Sequence, residues 1–287
     1  MAGFVLSCMT EKGRGRCSMW YSDLHTHTVF SDGVHTMEDM VRAAVERGFA
    51  SVGISDHSYT HFDLRYCIRQ ERLTEYHAEL RRLKDAYAGR IEIYAGLEYD
   101  GYSELENRNF YDYLIGDCHY VKVGDRYFSV DHAAEEQKKT VDEWFGGDPL
   151  AYCRAYFDTV VERTWLHRPD VLGHFDLPVK FGLVDEEDPA YRHMAAEALL
   201  ACLEVTPVVE LNTGAMARGL RSRPYPHIFL LREILHHGGR VVLSSDAHRR
   251  ENLGFGFDAG LALLREAGFR SVAVLRRSAF EDVGIEG

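Results

Sequence analysis

Residues 20–33 read WYSDLHTHTVFSDG, a short apolar and aromatic run followed by His25 and His27, with Asp32 beside a glycine. Side chains two apart in an extended chain lie on the same face. A strand ending here therefore presents both imidazoles on one side. Two ordinary polar residues in a loop would read the same way. Fifteen histidines in 287 residues produce roughly 0.7 H-x-H pairs by chance. The meaning of the pair depends on how the other strands end.

Seven further short apolar runs follow: SVGIS (51–55), IEIYAGL (91–97), FYDYLIG (110–116), DVLG (170–173), PVVELN (207–212), VVLSS (241–245) and SVAVL (271–275). Their length and their Val, Ile and Tyr content suit buried parallel strands. Helical patterns lie between them. Thr36 caps 38–47 and Gly48 stops it; residues 68–88, 149–166, 189–204, 226–237 and 258–267 repeat the logic, with Gly89, Gly238 and Gly268 placed as C-cap glycines. Alternation over seven or eight strands predicts an α/β fold, a closed or nearly closed β/α barrel, with a doubly wound open sheet as the alternative. No G-x-G-x-x-G follows the first strand, so a dinucleotide fold has no support.

Residues 20–287 contain no repeats, Pro-rich linkers or low-complexity segments and are expected to form one domain. Residues 1–19 read as a disordered N-terminal extension. Their apolar part is short and ends in Glu and Lys without a small-residue cleavage site, unlike a secretory signal, and Met19 is a candidate natural start. The net charge of −12 argues against long nucleic acids and anionic membranes, without excluding an anionic ligand at a local site. No apolar run approaches the ~20 residues of a membrane span. Six scattered cysteines without C-x-x-C read as reduced thiols of a cytoplasmic protein.

The other strand ends decide the opening question. Asp56-His57 follows the second run, Glu98 the third, His119 the fourth, His174 the fifth, and Asp246 and His248 the seventh. In a β/α barrel these ends converge on one face. Imidazoles with a few carboxylates suit Zn, Mn or Fe, whereas Ca or Mg favours oxygen ligands throughout. The metal reading is therefore preferred. The nine remaining histidines lack this placement; among them His61, just beyond Asp56-His57, is kept as a pocket residue.

The motifs D-L-H-T-H-T…S-D-G, I-S-D-H-S, G-L-E, H-Y-V, G-H-F-D, E-L-N-T-G-A and S-D-A-H stand in an order that resembles the PHP-domain phosphoesterases, from about residue 20 to 280. Segments 127–136, 168–181 and 210–226 are most similar to the PHP-type histidinol-phosphatases. The resemblance implies a distorted (β/α)7 barrel with three divalent ions at the C-terminal ends of the strands, which leaves one of the eight runs outside the barrel. It implies that His25, His27, Glu98 and Asp246 hold the first ion, that Glu98 bridges to a second held with His119 and His174, and that Asp32, His57 and His248 hold the third. Asp32 stands where some relatives have histidine, and GDCH (116–119) where they commonly have Gly-Ser-Val-His; Cys118 reads as packing.

A water between two such ions is activated as a nucleophile. Three divalent ions against Asp32, Glu98 and Asp246 leave a local positive excess suited to a phosphate. Arg218 is the first choice for phosphate recognition and Arg249 the second. Arg221 and Arg223 read as surface residues. Asp23, Asp56 and Asp176 read as partners that orient histidines, with recognition of a substrate amine as the alternative for Asp176. The donor of a proton to the leaving alcohol stays open. The expected reaction is hydrolysis of L-histidinol phosphate to L-histidinol and inorganic phosphate, a step of histidine biosynthesis. Alternatives are another small phosphomonoester, a phosphotyrosine or a nucleotide, or a non-catalytic metal-binding module, against which the intact ligand set argues.

Overall fold

The computed structural model describes residues 21–105 and 107–285. The extension expected at residues 1–19 lies outside them. Along the chain run β1 (Ser22–Asp23), α1 (Met37–Glu46), β2 (Ser51–Ile54), α2 (Leu73–Ala86), β3 (Glu92–Asp100), β4 (Tyr113–Asp117), β5 (Tyr120–Val123), β6 (Arg126–Ser129), α3 (Ala134–Trp144) and α4 (Pro149–His167). Then come β7 (Val171–Leu172), α5 (Pro189–Leu203), β8 (Val208–Asn212), α6 (Gly214–Ala217), α7 (Ile228–His236), β9 (Arg240–Ser244), α8 (Phe257–Ala267), β10 (Ser271–Arg276) and β11 (Ala279–Gly284).

Seven parallel strands pair in the order β1-β2-β3-β4-β7-β8-β9. The seam between the first and last is bridged just beyond the strands, where Thr26 pairs with Ala247. His27 N–H donates to Ala247 O (3.0 Å) and Ala247 N–H to His25 O (3.2 Å). The result is the nearly closed α/β barrel that the alternation predicts. Local chemistry sets the helix starts. Asp148 and Asp188 accept backbone N–H bonds in the first turns of α4 and α5, each followed by proline. Thr36 and Asp39 form a capping box on α1.

The barrel interior below the strand ends is filled by Leu24, Tyr94, Tyr113, Ile115, Val171, Val208 and Val242. Tyr113 is fully buried and donates its hydroxyl to Leu24 O. Its ring occupies space that β2 and β3 leave open by carrying Gly53 and Gly96. The eighth run does not join the barrel. β10 pairs antiparallel with β11 and adds Ala273 and Leu275 to the interior cluster.

Two features went unread in the sequence. The β5–β6 hairpin is short and half-exposed, and α3, although amphipathic, is largely polar and offers few apolar residues to read. No helix among the described residues is long and apolar enough to cross a membrane.

Adding a methyl group at Gly53 would place a Cβ 2.9 Å from Tyr113 Cζ and 3.0 Å from Leu24 Cα. Gly53→Ala is expected to destabilise the fold by ~1–3 kcal/mol through overpacking, read as a lowered urea midpoint at unchanged m.

Candidate metal centre

The strand ends meet around one carboxylate. Glu98, on β3 and 1% exposed, is flanked by His25 Nε2 (3.3 Å) and His27 Nε2 (3.3 Å) from the end of β1, and by His57 Nδ1 (2.7 Å) after β2. Its other oxygen lies 3.3 Å from His119 Nε2, after β4, and 3.0 Å from His174 Nε2, after β7. Asp246 follows β9 and stands 3.3 Å from His27 Nε2 through Oδ1. Its φ of 48° is left-handed, a conformation that a non-glycine residue keeps only where its surroundings enforce it. His248 Nε2 lies 3.1 Å from Asp32 Oδ2, and Asp32 Oδ1 lies 3.7 Å from His57 Nε2. All nine residues expected from the sequence are thus brought together.

Glu98 Oε1 is hydrogen-bonded to His174 Nε2 and Asp32 Oδ2 to His248 Nε2, but the atoms around Glu98 Oε2 are not hydrogen-bonded. His25 Nε2, both nitrogens of His27, His57 Nδ1 and Glu98 Oε2 are buried without a hydrogen-bond partner. Several imidazole nitrogens aimed at one carboxylate oxygen, close but out of line for N–H donation, are suited to a cation between them. Four groups have ligand atoms within 4.8 Å of one another: His27, Asp32, His57 and His248; His25, His27 and Glu98; His57, Glu98 and His119; and Glu98, Asp117 and His174. The donor set fits divalent ions of the imidazole-binding kind.

The buried carboxylates draw positive charge to the centre. Burial pushes His27 down to about 3, helped by His248 and His57, so its ring is neutral and able to ligate. Burial alone would raise Glu98, but His57, His25 and His119 hold it well below the usual carboxylate range. Burial would lower His25, yet Glu210, Glu98 and Asp246 hold it well above its ordinary value.

Three carboxylates escaped sequence reading. Glu210 Oε1 lies 2.6 Å from His25 Nδ1, and its other oxygen accepts His174 N–H (2.9 Å). Asp100 Oδ2 lies 3.3 Å from His119 Nδ1, and Asp117 Oδ1 lies 3.1 Å from His174 Nδ1. The signal was present. Asp100 is two residues after Glu98 and Asp117 two before His119, the same-face spacing used for His25 and His27. Glu210 is an acid inside an apolar strand, which calls for a partner.

The expected orienting aspartates do other work. Asp23 accepts from Ser245 N–H (3.1 Å), Ser245 Oγ, Gly254 N–H (3.0 Å) and His25 N–H (3.4 Å), tying the seam rather than a ring. Asp56 accepts from Thr28 N–H (2.7 Å), Thr28 Oγ1 (2.8 Å) and Ser31 Oγ, shaping the loop that carries Asp32. Asp176 accepts His227 N–H (2.9 Å).

A cavity of about 530 Å³ opens over the centre, lined by Arg218, Arg249, Lys180, Asp131, Tyr66 and Tyr120 among others. Arg218 is held by Asp246 Oδ2 (3.0 Å) and approaches His248 Nδ1 (3.3 Å). Arg249 is exposed at its edge. Lys180, unforeseen in the sequence, is buried and paired to Asp131 (2.8 Å). His61 is not in this cavity. It is exposed and lines a separate one of about 320 Å³, because the loop after His57 wraps so that Tyr66 packs on His57 instead, with ring centroids 4.8 Å apart. Arg221 is not a surface residue: its guanidinium is buried against Glu186 (2.8 Å) and Val179 O (2.9 Å).

The PHP domain family profile matches residues 23–214. A Deinococcus radiodurans protein named "Probable histidinol-phosphatase" is 28% identical over 265 residues, covering 89% of this chain and 96% of that one. The "Histidinol-phosphatase" of Bacillus subtilis is 23% identical, covering 83% and 97%. The crystal structure of Lactococcus lactis histidinol phosphate phosphatase, complexed with Zn, L-histidinol and phosphate, superposes with a TM-score of 0.66 at 20% identity over 91% of this chain and 98% of that one.

Removing metal with a chelator is expected to lower the melting temperature, and adding Zn or Mn to restore it. Each ion present at a hundredfold its Kd contributes ~2.7 kcal/mol. In Glu98→Ala the increment is expected to shrink and elemental analysis to show lost metal. Unchanged stoichiometry in that variant would rule out Glu98 as the shared ligand.

Proposed function

As the chain belongs to the PHP domain family, we propose that it is a metal-dependent phosphomonoesterase that hydrolyses L-histidinol phosphate to L-histidinol and inorganic phosphate, a step of histidine biosynthesis. The observation that carries the reaction class is the nine ligand-type side chains gathered under a cavity that also bears Arg218. Relatives of matching length named for histidinol phosphate support the substrate. Residues 20–287 act as one domain, since every strand of the barrel delivers a part of the site.

His25, His27, Glu98 and Asp246 hold one divalent ion, Glu98 with His119 and His174 a second, and Asp32, His57 and His248 a third; Zn, Mn and Fe suit these donors. When bound, such ions supply Lewis-acid charge and bring the pKa of water towards neutrality. The chain's own residues bind and orient. Arg218 is anchored by Asp246 through one arm of its guanidinium, which keeps the plane of the fork beside His248. A phosphate there would meet a fixed, planar, positively charged donor group of the kind that suits its oxygens. Arg249 at the edge adds positive charge to a chain of net charge −12, while Lys180 in the wall is paired with Asp131.

The cavity is in the size range for a small ligand. Tyr66, Tyr120 and Asp131 line it as well, and aromatic faces and an acid suit an imidazole and an ammonium group. Cys67, Cys118, Cys153 and Cys202 are buried free thiols, which supports a reducing compartment, the cytoplasm.

Phosphate release from L-histidinol phosphate and from a panel of other monoesters, with metal-loaded protein, tests the reading. A kcat/KM of at least ~10⁴ M⁻¹ s⁻¹ for histidinol phosphate, far above the panel, is expected. Weak and uniform turnover would keep the phosphoesterase and reject the substrate. Arg218→Ala is expected mainly to raise KM, by about tenfold or more, as loss of a charged hydrogen bond to phosphate does.

A further inference from the structure

The imidazoles of the centre are not equally supported from behind. His25 faces Glu98 through Nε2 and sets Nδ1 2.6 Å from Glu210, both side chains being 0% exposed. His119 faces Glu98 through Nε2 and Asp100 through Nδ1, and the same Asp100 oxygen also accepts the His119 backbone N–H (3.0 Å). His174 repeats the arrangement with Asp117 at 3.1 Å, without hydrogen-bond alignment. A carboxylate on the far nitrogen fixes the ring, selects the nitrogen that carries the lone pair and makes it more basic.

In the remaining group the carboxylates behind the rings are not separate ones but Glu98 and Asp246, themselves placed as ligands of the other ions. His57 turns Nδ1 to Glu98 itself, and its Nε2 is 3.7 Å from Asp32. His248 Nδ1 faces the backbone O of its neighbour Asp246 (3.0 Å), Asp246 Oδ1 (3.3 Å) and the guanidinium of Arg218 (3.3 Å). The side chains of Asp32 and His248 are 32% and 24% exposed, against 0–8% for His25, His57, Glu98, His119 and His174. A wetter donor set, with a permanent positive charge 3.3 Å from His248, disfavours a cation there.

We propose that Glu210, Asp100 and Asp117 are positioning residues that make the two ion positions around Glu98 tight, and that Asp32, His57 and His248, whose rings share the ligand carboxylates Glu98 and Asp246 instead of having carboxylates of their own behind them, and which include the two most exposed side chains of the centre, form a position whose ion binds more weakly and exchanges. The inference rests on the three-ion reading above. It carries a linkage. A phosphate on Arg218 neutralises the charge that opposes the third ion, so phosphate and that ion each strengthen the binding of the other.

The test is titration of the metal-stripped full chain with Zn²⁺ against a chromogenic chelator, and with Co²⁺ followed by visible absorption. Two tight equivalents are expected, with a third at least about tenfold weaker that inorganic phosphate tightens. Glu210→Gln is expected to weaken one tight equivalent by about 10–100-fold and to change the Co²⁺ spectrum, leaving the weak one in place. Asp32→Asn is expected to remove the weak equivalent alone. Melting of the metal-free variants separates this from a folding defect, and Asp100→Asn substitutes should Glu210→Gln not fold. Three equal affinities, or constants unmoved by both Glu210→Gln and Asp100→Asn, would overturn the ordering alone. Failure to bind any ion would overturn both the ordering and the reading it rests on.

Discussion

The buried carboxylate of Glu98 is the constraint on which the rest of the molecule depends. An ionised group removed from water is costly unless positive or hydrogen-bonding partners surround it. Five imidazoles from four other strand ends stand within 3.3 Å of its oxygens. They reach it only if the strands end at one level and curve into a ring. The ring is closed by backbone bonds from residues 25 and 27 to residue 247, next to the ligand-type side chains themselves. Loosening the seam would therefore disperse the centre, and a misplaced ligand would tug on the seam.

Charge is organised more finely than a sum of ligands suggests. Asp32, Glu98 and Asp246 alone would leave three divalent ions with a large positive excess. Asp100, Asp117 and Glu210 stand directly behind the rings and offset much of it. Burial pushes Asp117 up to about 7, so it carries less than a full charge near neutrality. Attraction for a phosphate thus depends on where the remaining positive groups are. Arg218, Arg249 and Lys180 line the cavity, while Asp131 offsets Lys180. This geometry directs an anion towards the Arg218 side of the centre.

Short-range rules carried the sequence reading a long way. The Thr36 cap and the terminal glycines marked helices, and apolar runs marked every barrel strand. The same rules missed Asp100 and Asp117 only because same-face spacing was applied to His25 and His27 and not to GLEYD and GDCH. Other misses lay beyond local rules. His61 follows His57 closely in sequence, yet Tyr66 takes the place beside that ring, because the path of an irregular loop has no period to read. Arg221 read as a surface residue and Lys180 was not singled out, yet both are buried by pairing, with Glu186 and Asp131 respectively, neither a neighbour in sequence.

The sequence by itself determined the alternation of short apolar runs with helices, the ligand-type residues at the strand ends and the PHP-like order of motifs that adds Asp32 to them. Each is written in spacing and residue type, which act over a few positions. Only the tertiary structure decided which carboxylate stands behind which imidazole, which cations face the cavity, and that the eighth run forms a separate hairpin with β11. Those facts are distances between segments far apart in the chain. They follow from how the barrel closes and how the irregular loops pack, and neither leaves a local periodicity in the sequence.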